Sequence, residues 1–480
     1  MTTRAARATQ PASNPARDPA FAFARHVAQT PFEALPAVAV EATKKDILDT
    51  LGAALAGSAA AGGREVAELV ADWGGAPQST VWVYGTRAPA HHAALANGNM
   101  GHALDFDDTH DRAILHAGVT TIPALLAAAE HGSGQSRPVS GRTALAALAT
   151  SIDMIARMGL AIRRGPGDTG WIYTPLLGFF GAAAAAARAY GLDEERTLHA
   201  LGIAYAQTAG NNQCVPDAAL TKRLQAGFAA QGGVLSAQLA QRGVTGAKQI
   251  AQGKYGFYHV YLNDDYDPAP LLADLGERFE VADLSFKPYP CCRAGHGAID
   301  ATLALREQHQ LDPANVERVD VRTSNGPYEL LGDPIERKRN PAVVVDAQFS
   351  LPFMVATALS RGRVFIDDFT PESIRDNTTL ALANRVFPAV DPEIERSAPK
   401  TYTTVVEVTT RDGGRYSHRV EQLKGDPRNP MTYSDVADKF RACAAYAARP
   451  LASDQVERVV EIVARLERID DVAELAALLT

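Results

Sequence analysis

Apolar residues recur at helical spacing through the first 270 residues of the chain. In residues 44–58, for example, Leu48, Leu51 and Leu55 fall on one face, and the segment closes with a glycine stop signal. The same spacing returns in later segments, and the long glycine-rich breaks typical of alternating strands and helices are missing. The pattern therefore predicts a helical domain over residues 18–272.

One predicted helix, residues 175–190, contains six consecutive alanines at 182–187. A helix that is small and apolar on every side is normally buried in close contact with other helices. The longest apolar stretch, residues 175–187, is shorter than the roughly 20 residues that a membrane span needs. We therefore expect no membrane partner.

The pattern changes near residue 273. Apolar and polar residues alternate in three segments, which favours strands, and a hairpin signal, Arg-Asp-Gly-Gly, separates the last two. The predicted strands are residues 316–323, 402–408 and 416–420; helices are expected over 296–308 and 346–359, and a long loop over 325–345. Together these features predict a smaller α+β lid domain at residues 273–425.

Helical spacing returns in residues 426–480, and the simplest packing brings this tail back onto the helical domain. The predicted fold class is thus mainly α, with a large all-helical domain and a smaller α+β domain inserted before the C-terminal helices. The α+β domain is then bounded by two chain crossings, which create clefts where ligands bind. Residues 1–17, rich in Ala, Thr and Pro, are predicted to be a disordered tail.

Composition narrows the classes of partner. The net charge is −8, and the 47 basic residues form no run of five, so no nucleic-acid partner is indicated. Four cysteines cannot staple 480 residues, which favours a reducing compartment, and we expect a cytoplasmic protein. Their spacing, and the lack of an H-E-x-x-H motif, predict no metal.

The densest polar cluster is residues 105–111, with three aspartates in its first four positions and His116 shortly after. Its flanks are rich in Ala and Gly, which argues for burial on both sides. Helical spacing places Asp105, Asp108 and Thr109 on one face. An Asp/His group of this kind suits proton transfer at carbon.

Residues 107–111 also match D-D-x-x-D, the magnesium–diphosphate motif of helical prenyl-diphosphate enzymes. Such a site needs carboxylates on successive helical turns to hold hard cations. A second metal motif is missing, and aromatic residues make up only 7% of the chain. The sequence therefore disfavours this alternative.

Two further segments carry cations. Lys222 and Arg223 stand at a predicted helix start, where a bound anion would offset the dipole. Lys287, Arg293 and His296 flank a proline-rich loop ahead of another helix. Cations of this type suit a substrate with two or three carboxylates, and the lysines are expected in a cationic cleft.

The loop also contains the adjacent Cys291 and Cys292, which we interpret as packing residues because neighbouring cysteines seldom ligate one metal. Cys292 is nevertheless kept among the candidate substrate-binding residues.

At these positions the chain resembles the MmgE/PrpD family, which includes 2-methylcitrate dehydratase, cis-aconitate decarboxylase and iminodisuccinate epimerase. The matching segments run in family order over residues 20–445. They include His-Ala-Leu-Asp-Phe-Asp-Asp-Thr at 102–109, Thr-Lys-Arg-Leu at 221–224, Lys-Pro-Tyr-Pro-Cys-Cys at 287–292, and Asp-Ala-Gln-Phe-Ser at 346–350.

The resemblance implies an active site between a helical domain and a lid domain, a homodimer, and no metal or organic cofactor. The catalytic positions it implies are Asp105, Thr109, His116, Lys222 and Lys287. With them we place five candidate substrate-binding residues: Tyr173, Arg223, Cys292, Arg293 and His296. The implied chemistry makes or breaks a C–H bond next to a carboxylate of a small carboxylic acid.

One departure from the family concerns Ile172, which stands where many members have a site histidine. Isoleucine neither binds a carboxylate nor carries a proton, and the hydroxyl of Tyr173 is the candidate substitute. The preferred interpretation is a cofactor-independent dehydratase or decarboxylase acting on a 2-methylcitrate- or aconitate-like acid. An epimerase or isomerase using the same carbanion, and an inactive binding paralogue, remain the alternatives.

Overall fold

The computed structural model describes residues 18–397 and 402–480. The predicted tail at residues 1–17 lies outside the described residues. The fold class is confirmed: the chain is mainly helical, and a small mixed sheet lies in its C-terminal third.

The first region consists of helices and one two-stranded antiparallel ribbon. Its elements are α1 Pro19–Gln29, α2 Ala37–Gly57, α3 Gly63–Trp73, β1 Ser79–Thr80, β2 Arg87–Ala88, α4 Ala90–Gly101, α5 Gly118–Ser133, α6 Gly141–Leu160, α7 Pro166–Thr169, α8 Tyr173–Ala189, α9 Glu194–Tyr205, α10 Thr221–Gln241, α11 Phe257–Leu262 and α12 Ala269–Leu272. Residues 81–84 lie in the turn between β1 and β2, where Val83 has φ 67°.

The alanine-rich helix α8 is buried against α5, α6 and α10, as its composition predicts. Ala182 to Ala187 are all fully buried. On the facing helix, a Cβ added to Gly233 would lie 2.3 Å from the Cβ of Ala182, so only glycine fits there. Small residues on both partners allow the two backbones to approach closely, and the core of this region is therefore dense.

The second region combines helices with a four-stranded sheet of order β4-β3-β5-β6. Its elements are α13 His296–His309, β3 Val316–Thr323, α14 Asn325–Leu331, α15 Ile335–Arg339, α16 Val344–Gln348, α17 Leu351–Arg361, α18 Asn377–Ala383, β4 Val386–Val390, α19 Pro392–Ser397, β5 Thr404–Thr410 and β6 Arg415–Val420. The β5–β6 hairpin and β3 are confirmed. Helices α13 and α17 cover one face of the sheet.

Three sequence expectations in this region are wrong in detail. The segment 325–345 is not one long loop, because it contains α14 and α15. The helix expected over 346–359 is broken after Gln348, where the side chain of Ser350 caps the new helix α17. The sequence pattern also missed β4, a five-residue edge strand that contains Pro388 and pairs in parallel with β3.

The chain ends with α20 Tyr433–Ala444, α21 Ser453–Ala464 and α22 Ala473–Leu478, which pack on the first region against α2 and α5. Lys439 of α20 is the main polar link. Its Nζ lies 2.7 Å from Asp49 Oδ1 of α2, donates to the carbonyl of Phe106 at 2.5 Å, and stands 3.9 Å from the centre of the Phe106 ring. A buried cation therefore ties the last helices to α2 and to the loop after α4.

Helix α6 is long and apolar enough to cross a membrane by length and composition, but 89% of its apolar window is buried inside the fold. It occupies the position of a core helix, packed against α8, α5 and α2.

We predict that Lys439→Met lowers the free energy of unfolding by about 3–5 kcal/mol at pH 8, because it leaves the buried Asp49 carboxylate without its cation. Methionine keeps the apolar stem, so the loss reports the charge. Chemical denaturation measures the effect. Lys248→Met is the matched control, since Lys248 forms only an exposed pair with Glu195 and should change stability by less than about 1 kcal/mol. Equal effects of the two substitutions would contradict a role for Lys439 in the core.

Candidate active site

The loop from His102 to His116 forms the floor of the candidate site. Helix α4 ends at Gly101, and Asp105 adopts a left-handed backbone with φ 53°. The expectation that Asp105, Asp108 and Thr109 share a helix face is therefore wrong. Asp108 instead accepts hydrogen bonds from the backbone N–H groups of Ala117 and Gly118, at 2.9 and 3.0 Å, at the start of α5. That position favours a negative charge.

Asp105 lies between two lysines. Lys222, from the first turn of α10, places Nζ 2.5 Å from Asp105 Oδ1. Lys287 donates to the backbone carbonyl of Asp105 at 2.9 Å and lies 3.4 Å from the same carboxylate oxygen. The Lys287 side chain is 1% exposed and that of Asp105 is 8% exposed. The expected cationic cleft is thus a buried cluster in which the carboxylate already offsets one of two positive charges.

The electrostatics of this trio follow from its geometry. Burial alone would raise the pKa of Asp105, but attraction to Lys222 and Lys287 outweighs it and holds that pKa well below its usual range. Burial likewise opposes the charge on Lys287, yet Asp105 and Asp107 raise the pKa of this lysine above its ordinary value. Asp105 and Lys287 are therefore ionised at neutral pH, and Asp105 cannot act as the acid.

His116 has the geometry of a proton carrier. Its Nδ1 faces two acceptors, the carbonyl of Asp108 at 2.5 Å and Asp107 Oδ2 at 3.1 Å. Nδ1 must therefore carry the proton, which leaves Nε2 free to accept or donate one. The side chain is 18% exposed, in contrast to the fully buried Asp107. His116 also contributes to lowering the pKa of Asp105, so the two groups lie within electrostatic reach.

His102 shares the carboxylate of Asp107 with His116. Its Nδ1 lies 2.9 Å from Asp107 Oδ2, and the two imidazole rings are 4.9 Å apart. Burial lowers the pKa of His102 to about 4, so this ring is neutral at pH 7. Asp107, held ionised by the two histidines despite its burial, fixes the orientation of both rings.

Arg293 and His296 form a neighbouring group. Arg293 donates to the carbonyl of Lys424 at 2.8 Å and lies 3.5 Å from Asp111 Oδ1. His296 points Nε2 at the carbonyl of Cys291, 3.2 Å away, and burial together with Arg293 holds its pKa well below the usual range. Burial raises the pKa of the Cys292 thiol to about 11, so Cys292 is neutral.

Three sequence candidates direct their polar groups to other partners. The hydroxyl of Tyr173 donates to the carbonyl of Arg164 at 2.7 Å, and Arg223 donates to the carbonyl of Ala61 at 2.9 Å. Thr109 is held through its backbone, which exchanges two hydrogen bonds with Ser285 at 2.9 and 2.7 Å. Ile172 is the N-cap residue of α8. The structure therefore gathers Asp105, His116, Lys222 and Lys287. Tyr173 is engaged elsewhere, and Arg223 lies within electrostatic reach of Asp105 but donates to Ala61.

Two clusters among the described residues could hold a metal ion by composition: His102 with Asp107 and His116, and His110 with Glu280 and Asp283. In the first, the facing atoms are joined by hydrogen bonds. The D-D-x-x-D carboxylates do not converge either. Asp107 serves the histidines, Asp108 caps α5, and Asp111 accepts from Ser285 at 2.7 Å. This arrangement gives no support to the diphosphate alternative.

Sequence reasoning missed a group of acids beneath the floor of the site. Asp46, Asp49 and Thr50 lie at i, i+3 and i+4 on one face of α2, and this polar stripe was the available signal. Asp46 is fully buried, and neither of its carboxyl oxygens has a hydrogen-bond partner. A Cβ added to Gly118 would lie within 3 Å of Asp46 Oδ1, Thr50 Oγ1 and Asp108 Oδ1, so the two carboxyl groups approach the same point.

Burial, followed by repulsion from Asp108 and Asp49, raises the pKa of Asp46 well above its usual range. Burial and repulsion from Asp107 raise the pKa of Asp108 to about 7. Burial and these repulsions outweigh the attraction of Lys439, so the buried carboxyl pair retains a proton at neutral pH.

This geometry predicts a stability that falls as pH rises above about 4, where an unfolded aspartate ionises while folded Asp46 keeps its proton. The loss from one such group approaches about 1.4 kcal/mol per pH unit. Asp46→Asn removes this titration, so the free energy of unfolding of the variant should fall less steeply between pH 5 and 8. The stability of the variant relative to the wild type should therefore increase as pH rises. Denaturant unfolding at several pH values measures both slopes. Asp72→Asn, at an exposed position on α3, should leave the slope unchanged. A wild-type slope in Asp46→Asn would contradict the buried proton.

Comparison with known proteins gives this geometry a context. The sequence model of the MmgE/PrpD N-terminal domain matches residues 22–269, and that of the MmgE/PrpD C-terminal domain matches residues 289–468.

Among characterised relatives, the chain is 28% identical over 448 residues to the cis-aconitate decarboxylase of Homo sapiens, covering 92% of this chain and 90% of that protein. It is 28% identical over 463 residues to the cis-aconitate decarboxylase-like protein oryM of Aspergillus oryzae, covering 93% and 94%. It is 25% identical over 460 residues to the cis-aconitate decarboxylase of Aspergillus terreus, covering 93% of this chain and 92% of that protein. With both domain models matched in order along the chain, this protein belongs to the MmgE/PrpD family.

Proposed function

We propose that this protein is a cofactor-independent lyase that acts on a small polycarboxylate by decarboxylation or dehydration. One observation carries the proposal: His116, with Nε2 free, lies within electrostatic reach of a carboxylate flanked by Lys222 and Lys287. The relatives are cis-aconitate decarboxylases by name, so cis-aconitate is the first acid to test.

In the proposed mechanism, the two lysines attract a substrate carboxylate and offset the negative charge that develops on the adjacent carbon. Asp105, permanently ionised, keeps both ammonium groups in place. For decarboxylation, His116 acts as an imidazolium that carries a proton on Nε2 as well as on Nδ1. The C–C bond breaks, CO₂ leaves, the electron pair on carbon takes the Nε2 proton, and the ring regains a proton from solvent. For dehydration, Nε2 instead removes the proton from the α-carbon before hydroxide departs. Thr109, Cys292, Arg293 and His296 are proposed to orient the substrate, and the compartment is proposed to be cytoplasmic.

Turnover of a panel of aconitate-, citrate- and malate-like acids, followed by NMR in deuterated water, tests the proposal. We expect net loss of CO₂ or water from one acid, with deuterium entering at the carbon next to the carboxylate, and no loss of activity after exhaustive chelation. Deuterium uptake without net conversion would favour the epimerase. No uptake and no binding would favour the inactive paralogue, and activity that chelation removes and Mg²⁺ restores would reinstate a metal.

The lysines give a second test. Lys222→Met and Lys287→Met should each lower kcat/KM by about 10²–10⁴, since a charge-assisted hydrogen bond is lost in a desolvated site. The free energy of unfolding should distinguish the two variants. Lys287→Met leaves a buried carboxylate short of a cation and should cost about 3 kcal/mol or more, whereas the more exposed Lys222 should cost less. Steady-state kinetics and denaturation on the same preparations measure both effects. Near-normal kcat/KM in both variants would place the substrate elsewhere.

We further propose a homodimer joined through the helical region. Large apolar side chains stand exposed on α3 and near the start of α10, where Trp73, Leu220 and Phe228 are 48%, 45% and 44% exposed. A second copy would cover this surface. Light scattering should give twice the 51.0 kDa chain mass at micromolar concentration, and Phe228→Asp should shift the protein toward monomer. A stable wild-type monomer would contradict the dimer.

A further inference from the structure

The break between α16 and α17 lies where the segments of the candidate site meet. Helix α16 ends at Gln348, and Phe349 leaves helical geometry with φ −120° and ψ 38°. Gln348 is only 2% exposed. A polar amide buried at a helix end needs partners there, because an unpaired amide would cost free energy.

The partners of Gln348 are backbone atoms of two different loops. Its side-chain Nε2 donates to the carbonyl of Leu104 at 2.8 Å and to the carbonyl of Pro290 at 3.0 Å. The backbone carbonyl of Gln348 accepts a hydrogen bond from the backbone N–H of Cys292 at 3.0 Å. One amide nitrogen therefore uses both of its hydrogens to join a loop of the helical region to a loop of the second region.

These two loops carry the catalytic ion pair. Leu104 directly precedes Asp105, and Pro290 follows Lys287 by three residues. The bond from Lys287 Nζ to the Asp105 carbonyl, at 2.9 Å, runs between the same two loops. The residue after Gln348 reaches the third segment, since Lys222 Nζ lies 5.6 Å from the centre of the Phe349 ring.

We propose that Gln348 is a positioning residue that sets the spacing between the Asp105 loop and the Lys287 loop. The kinetic consequence of this inference rests on the proposed function, whereas its structural consequence rests on geometry alone. The choice of residue follows from the partners. Two carbonyl acceptors about 3 Å from one atom require a group with two N–H donors, and burial favours a neutral amide over a charged donor. A carboxylate there would face two carbonyls with no hydrogen to offer, and an apolar side chain would leave both carbonyls unpaired.

Two variants test the kinetic consequence. Gln348→Leu and Gln348→Glu should lower kcat by about 10–100-fold, with KM changed much less, because small displacements of catalytic groups act on the reacting geometry. In Gln348→Glu, acidification protonates the introduced carboxyl and returns one O–H donor. Its activity relative to wild type should therefore rise from pH 8 to pH 6, while that of Gln348→Leu stays flat. Gln308→Glu, at an exposed position on α13, is the control and should match wild type.

A second measurement does not depend on activity. If Gln348 sets the spacing of the Asp105–Lys287 pair, the effects of Gln348→Leu and Lys287→Met on the unfolding equilibrium constant should be non-additive by about threefold or more. Gln348→Leu combined with Lys248→Met should be additive.

The two measurements separate the possible failures. The positioning role would be overturned if the effects of Gln348→Leu and Lys287→Met on the unfolding equilibrium constant were additive. It would also be overturned if the Gln348 variants raised KM and left kcat unchanged. Coupling that persists in a protein that converts no acid of the panel would support the positioning role and overturn the proposed function.

Discussion

Asp105 is the constraint on which the rest of the site depends. It has a left-handed backbone conformation and lies between lysines from two distant segments. Lys222 donates to its carboxylate, and Lys287 donates to its backbone carbonyl. A buried carboxylate is unfavourable unless cations and donors surround it. The loop after α4, the first turn of α10 and the loop before α13 must therefore come together for the fold to be stable, and the same meeting assembles the candidate active site.

Buried charge is unusually concentrated around this point. Five aspartates, at positions 46, 49, 105, 107 and 108, are set against Lys222, Lys287 and Lys439, with His102 and His116 nearby. Bound protons reduce the remaining negative charge, because the pKa values of Asp46 and Asp108 are raised. The site therefore combines groups with opposite tendencies. Asp105 and Asp107 are held ionised, while the pair Asp46 and Asp108 retains a proton.

Much of the architecture could be predicted from sequence because it follows from periodicity. The face of α2, the alanines of α8 and the β5–β6 hairpin each have one arrangement that buries their apolar residues. Edge strand β4 escaped because five residues with a central proline carry little strand signal. The motif segments that carry Asp105, His116, Lys222 and Lys287 also lie close together in the structure, and their catalytic roles stay a prediction. Side-chain direction could not be predicted in the same way. Tyr173 and Arg223 stand in matching segments, yet Tyr173 donates to the carbonyl of Arg164, nine residues before it, and Arg223 donates to the carbonyl of the distant Ala61.

The link between Lys439 and Asp49 joins residues that are 390 positions apart. During synthesis, α2 leaves the ribosome early, and its buried acid has no ammonium partner until nearly the whole chain has been made. The first helices therefore cannot reach their final packing as an independent unit while translation continues. In this protein the first helical region cannot complete its packing until the C-terminal helices have been made.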